Sequence, residues 1–175
     1  MTCSHLWPYV LTTMLDEIFL TFAILYMRDV LHSSAPLIGL IVALQMIAGF
    51  LGLLALDRLL KRISPVRLLV IASWLALIGI AGLLAVHTLW FAAFSLFVTG
   101  LGSACLYPIV AAQAFNRQPG RSGTVATIVQ LGKPFDIVLP GIVGLIAGQF
   151  GLLASLGFLG IAPVLFLVLA PRKAS

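Results

Sequence analysis

Six apolar runs, each long enough to cross a bilayer, make up most of this chain: Tyr9–Leu31, Pro36–Leu56, Val66–Val86, Leu89–Phe115, Gly123–Gly148 and Leu152–Ala170. Their separators are short and turn-like or charged: "HSSAP", "DRLLKRISP", "HT", "NRQPGRS" and "QFG". The last is marked only by length. A run from Gly123 to Ala170 exceeds one crossing of roughly 20 residues, so the chain is expected to turn near Gly151. With 62% of 175 residues hydrophobic and 9% charged, the chain lacks the polar surface of a soluble domain, which is about 25% charged. The expected fold class is an all-α polytopic membrane protein, a single domain of six transmembrane helices over residues 1–175, with the lipid bilayer as its first partner.

The net charge of +5 does not point to nucleic acid, because no basic surface interleaved with aromatic residues accompanies it. Eight of the ten basic residues fall on one side of the predicted membrane: Arg58, Lys61, Arg62, Arg67, Arg117, Arg121, Arg172 and Lys173. Arg28 lies on the other side and Lys133 inside a span. Excess Lys and Arg marks the cytoplasmic face, so the even-numbered loops and both termini are expected in the cytoplasm, in keeping with a bacterial inner membrane. Cys3 and Cys105 are too few and too far apart for a metal site or a disulfide framework. The start, "MTCSHLWPYV", has no basic segment before its apolar run and does not read as a cleaved signal peptide. No cofactor is expected.

Four ionisable residues lie inside the runs. Asp16 and Glu17 sit about 11–12 Å into the first and Lys133 and Asp136 about 15–20 Å into the fifth, at about 1.5 Å per residue. Both runs enter from the cytoplasmic side, so all four fall near mid-membrane. An ionisable group there costs about 2.5–3.5 kcal/mol and normally faces a partner or a wet cavity. Lys133 and Asp136 are three residues apart and share a helix face. Asp16 and Glu17 are adjacent and point about 100° apart, so one can turn toward Lys133 while the other faces a cavity. Pro134 and Pro140 free the carbonyls of Gln130 and Asp136 beside the pair, as Pro108 frees that of Ala104 in the fourth run. Two readings of Lys133 with Asp136 stand open: a transport path, or a static pair that fixes helix packing. Tyr107, Gln45, Gln113 and Gln130 are candidates for the same path, with simple helix bridging as the alternative. Close-packing pairs recur at Ala48 and Gly52, Gly79 and Gly82, Gly100 and Ala104, and Gly141, Gly144 and Gly148.

The loop "GLLALDRLLKR", Gly52–Arg62, resembles the conserved cytoplasmic loop of the major facilitator superfamily: glycine, three residues, aspartate, arginine, one residue, glycine, two basic residues. Asp57, Arg58, Lys61 and Arg62 match in place, whereas Leu53 and Leu60 stand where that motif has glycine. "LYPIVAAQAFNRQPGRSGTVATI" resembles the family's passage from its tenth to its eleventh helix. "LDEIFLTFAILYMRDVLHSSAPLIGL" is similar to its seventh helix and entry to the eighth. The resemblance covers nearly the whole chain and places it as the C-terminal half, two inverted three-helix repeats. It implies that the first and fourth spans line a solute cavity, that the fifth packs beside the first, and that Asp57, Arg58, Lys61 and Arg62 form a cytoplasmic gate.

The function implied is secondary transport of a small solute, coupled to protons or ions by symport or antiport. A single half lacks the other cavity wall, so a fragment, or a second six-helix half as a separate chain or in a homodimer, is expected. A non-transporting subunit is the second class. An intramembrane hydrolase with Ser103 as nucleophile is the third, opposed by the placement of His5, His32 and His87 at or beyond span ends.

Overall fold

The computed structural model describes residues 11–12, 14–85, 88–117 and 122–169. The side chains of Met14, of residues 114–117, of Ser122, of residues 124–136 and of Leu169 fall outside the described residues. A π-helical segment, Met14–Ile18, continues as α1 (Phe19–Asp29). There follow α2 (Ala35–Leu60), α3 (Pro65–Ala85), α4 (Leu89–Arg117), α5 (Ser122–Phe150), α6 (Leu152–Leu159) and α7 (Ile161–Leu169). Among the described residues every element is helical. In hydrocarbon each backbone polar group must be satisfied internally, and a helix does this within one segment. Helices α2 and α3 and residues Leu89–Gln113 of α4 are long and apolar enough to cross a membrane, and Ile137–Phe150 and Leu152–Val168 are shorter apolar stretches.

Helix α2 does not stop at Leu56, where its apolar run ends, but continues through Asp57 and Arg58 to Leu60. Loss of hydrophobicity ends a span without ending a helix, since the backbone ladder is indifferent to what the side chains face. The chain then closes tightly, with the N–H groups of Arg62 and Ile63 donating to the Leu59 carbonyl at 2.9 and 2.8 Å. Helix α3 begins on Pro65, whose missing N–H costs nothing in a first turn. Pro108 lies inside α4, and α5 runs unbroken through Pro134 and Pro140.

Between α5 and α6 the chain reverses on one residue, Gly151, at φ 87° and ψ 164°. That region is open essentially to glycine alone. At Gly160, between α6 and α7, the N–H still donates to the carbonyls of Leu156 and Gly157, at 3.3 and 3.1 Å.

Helix α4 is the spine, packing most extensively against α3 and α2. A Cβ at Gly100 would lie 2.7 Å from the Gln45 carbonyl oxygen, and one at Gly52 would lie 2.9 Å from that of Leu101. Across the other face, a Cβ at Gly102 would meet the Ala72 carbonyl at 2.6 Å and one at Gly79 the Ser95 carbonyl at 2.7 Å. These contact points run upward together on α2 and α4 and in opposite senses on α3 and α4, so α2 is parallel to α4 and α3 antiparallel. Buried hydroxyls within this packing are satisfied by the preceding turn: Ser73 donates to the Leu69 carbonyl and Thr99 to that of Ser95, both at 2.8 Å. The small residues of α5 behave differently. Gly141, Gly144 and Gly148 have open space where a Cβ would stand.

The outer surface is apolar. Met46, Phe50, Trp74, Ile78, Trp90, Phe94, Leu145 and Phe150 are all exposed, an arrangement suited to lipid and unsuited to water.

Gly151→Ala is expected to destabilise the protein by about 1–3 kcal/mol through backbone strain alone. Gly148→Ala, in a helix with open space beside it, is expected to be neutral or slightly stabilising. Thermal unfolding of the two variants in detergent checks the contrast.

Candidate functional site

The first span is amphipathic in an unusual sense. Its apolar face, Leu15, Ile18, Phe19, Phe22, Tyr26 and Met27, is buried, while Asp16, Glu17 and Thr21 are exposed. A helix facing lipid shows the opposite pattern, as α2 does with Leu40, Leu44, Ile47, Phe50 and Leu54 outward. The first span thus carries its acids, rather than apolar side chains, on the outside of the bundle.

Asp16 and Glu17 stand in the π-helical segment, whose wider turn makes neighbouring side chains diverge by less than in an α-helix. Both acids are exposed. Thr21, four residues on, donates to the Glu17 backbone carbonyl at 2.9 Å. π-Helical turns occur mostly as single bulges, frequently at functional sites.

Asp16 has a specific partner. The Ser103 hydroxyl of α4 donates to Asp16 Oδ1 at 3.2 Å. Ser103 is buried and is the central residue of the 29-residue α4, a helix about 43 Å long, so the contact lies at mid-span. The sequence offers Ser103 as a nucleophile; the structure instead makes it the donor that holds a carboxylate. The overlooked signal is depth, since Ser103 and Asp16 fall at matching levels of adjacent spans. Tyr107, four residues after Ser103 on the same face of α4, is half exposed. Gln113 is partly buried, and its Nε2 has no hydrogen-bond partner among the described residues.

The fifth-span pair is a different matter. Helix α5, which makes a few contacts with the π-helical segment that holds Asp16 and Glu17, carries Lys133 and Asp136. Their side chains lie outside the described residues, as does that of Gln130. So do Arg117, as a side chain, and Arg121, Arg172, Lys173, His5 and His87 altogether.

In the α2–α3 loop, Lys61 Nζ donates to Asp57 Oδ2 at 2.9 Å, one helical turn apart and both well exposed. Asp57 thus meets a lysine of its own helix. Arg58 and Arg62 are also exposed. Arg28 forms a second exposed pair with Asp29, Nε to Oδ1 at 2.7 Å, where α1 ends. Among the described residues no three His, Cys, Asp or Glu side chains converge on a metal-sized site.

An all-helical chain with an apolar exterior and one polar face at mid-span is an integral membrane protein. Residues 6–174 match the sequence model of the Major Facilitator Superfamily, and the chain belongs to that family. Its members are transporters rather than enzymes. Comparison with curated proteins and with solved structures finds no match.

A double-mutant cycle of Ser103→Ala with Asp16→Asn should give a coupling of about 0.6 kcal/mol and no more than about 1.7, the mean and maximum for hydrogen bonds between membrane helices. Ser155, which bonds within its own helix to the Leu152 carbonyl at 2.7 Å, supplies the control. Ser155→Ala should show no coupling to Asp16. Lys61→Ala should change stability by less than about 0.5 kcal/mol, as an exposed helix pair does.

Proposed function

We propose that this chain is one six-helix half of a secondary transporter, built as two inverted three-helix repeats and moving a small solute coupled to protons or ions. The observation that carries the reading is the inverted amphipathicity of the first span. Asp16 and Glu17 are exposed at mid-membrane depth, where contact with lipid would cost about 2.5–3.5 kcal/mol per ionised group. That cost disappears if the exposed polar face lines an aqueous path, and such a path needs an opposite wall. A second six-helix half, from another chain or a second copy, supplies it. The open stripe of Gly141, Gly144 and Gly148 on α5 offers a surface on which a partner helix can pack closely.

In this reading Asp16 and Glu17 are the acids of the path, Lys133 and Asp136 its contribution from α5, and Tyr107 and Gln113 polar groups of the fourth span. The loop carrying Asp57, Arg58, Lys61 and Arg62 acts as the gate on the basic, cytoplasmic side. That side also holds both ends of the chain under the positive-inside rule.

Uptake into vesicles reconstituted with the full chain tests the proposal. Asp16→Asn, Lys133→Ala and Asp136→Ala are each expected to lower uptake by tenfold or more while leaving the protein inserted and folded. Uptake that survives the two α5 substitutions would remove Lys133 and Asp136 from the path. Absence of uptake by the parent chain, alone and with a co-expressed six-helix half, would favour a non-transporting subunit.

A further inference from the structure

The polar face of the first span is not the only place where acceptors collect at mid-span. Gln45 of α2 is 6% exposed, and its Oε1 is buried with no hydrogen-bond partner among the described residues. A buried carboxamide oxygen left unsatisfied carries its full desolvation cost, so such an atom marks a place where a donor is missing. Gly100 of α4 locates it: a Cβ there would lie 2.9 Å from Gln45 Cγ. Gly100, Ser103 and Tyr107 follow one another at spacings of three and four residues, so they share a face of α4. Gln45 and Asp16 therefore approach the same face of α4, one turn apart, from α2 and from the first span.

We propose that Asp16 and Gln45 together bind a protonated amine at this face of α4, and that the solute of the path is accordingly an organic ammonium ion. This rests on the reading of the polar face as a solute path. Both named groups offer oxygen acceptors. Ser103 already directs its only proton to Asp16 Oδ1, which fixes the carboxylate and leaves no hydroxyl donor at that contact. Asp16 and Glu17, exposed together, repel a carboxylate or phosphate. A neutral alcohol brings one donor, enough for Gln45 but without the charge that Asp16 attracts. An ammonium group brings positive charge and more than one N–H, so it serves the carboxylate and Gln45 Oε1 at once. A quaternary ammonium brings the charge without the donors and leaves Gln45 Oε1 unsatisfied.

Calorimetric binding to the detergent-solubilised full chain tests this with four probes sharing one aromatic body: 2-phenylethylamine, its N,N,N-trimethyl analogue, 2-phenylethanol and phenylacetate. The amine is expected to bind, the trimethyl analogue to bind at least tenfold more weakly, and the alcohol and acid to show no saturable binding. Asp16→Asn should abolish binding of both cations. Gln45→Leu should erase the preference for the amine over its trimethyl analogue while leaving cation binding in place. Equal binding of all four probes, binding of none, or a preference unchanged in Gln45→Leu would overturn the assignment. Amine binding without vesicle uptake would overturn the transport reading and leave the site standing. Uptake of other solutes without amine binding would do the reverse.

Discussion

The close approach of helix backbones along α4 is the constraint on which the other features depend. In lipid there is no hydrophobic gain from pressing one apolar helix on another, so association rests on packing and on interhelical hydrogen bonds. At Gly52 and Gly100 on one side, and at Gly79 and Gly102 on the other, the missing side chains let carbonyl groups of the neighbouring helix occupy the space a Cβ would take. That contact fixes the direction and level of α2 and α3 relative to α4. It also decides that Gln45 meets α4 beside Gly100, one turn from the serine that Asp16 reaches.

The first span is held by a different logic. Its apolar residues face inward and its acids outward, which would be ordinary for a helix at a water-exposed surface and is costly at mid-membrane. One hydrogen bond, from Ser103 to Asp16, ties this polar face to the spine. The π-helical segment brings both acids to the exposed side within a single turn. Family membership and the apolar exterior describe a membrane transporter, and this inward-outward reversal sets the first span apart from its lipid-suited neighbours.

Much of the fold was legible in the sequence because it follows from length and hydrophobicity. Helices α2 to α5 begin and end within a few residues of apolar runs, whereas the sixth run is divided at Gly160 into α6 and α7, and the excess length after Gly123 is taken up by the joint at Gly151. The end of α2 was less visible, since Asp57 to Leu60 looked like loop by composition yet stays helical. Among the site residues, Asp16, Glu17 and Tyr107 stood out as polar groups in apolar runs. The Ser103–Asp16 contact did not, because pairing between distant spans depends on helix level and rotation, and the π-helical turn shifts the rotation by an amount no periodicity reports. Gln45 stood as a candidate for the path, with helix bridging as the alternative. Its burial beside Gly100, and an Oε1 with no donor among the described residues, emerge only from the packing.

The single-residue reversal at Gly151 has a mechanical consequence. Helices α5 and α6 are joined without slack, so a tilt of α5 is transmitted to α6 and on to α1, against which α6 packs. Helices α2 and α3 meet α4 at their glycines, and α6 and α7 pack in turn on α3. The Ser103–Asp16 hydrogen bond joins the first span to α4. The one-residue joint at Gly151 therefore leaves the last span little freedom to move apart from α5.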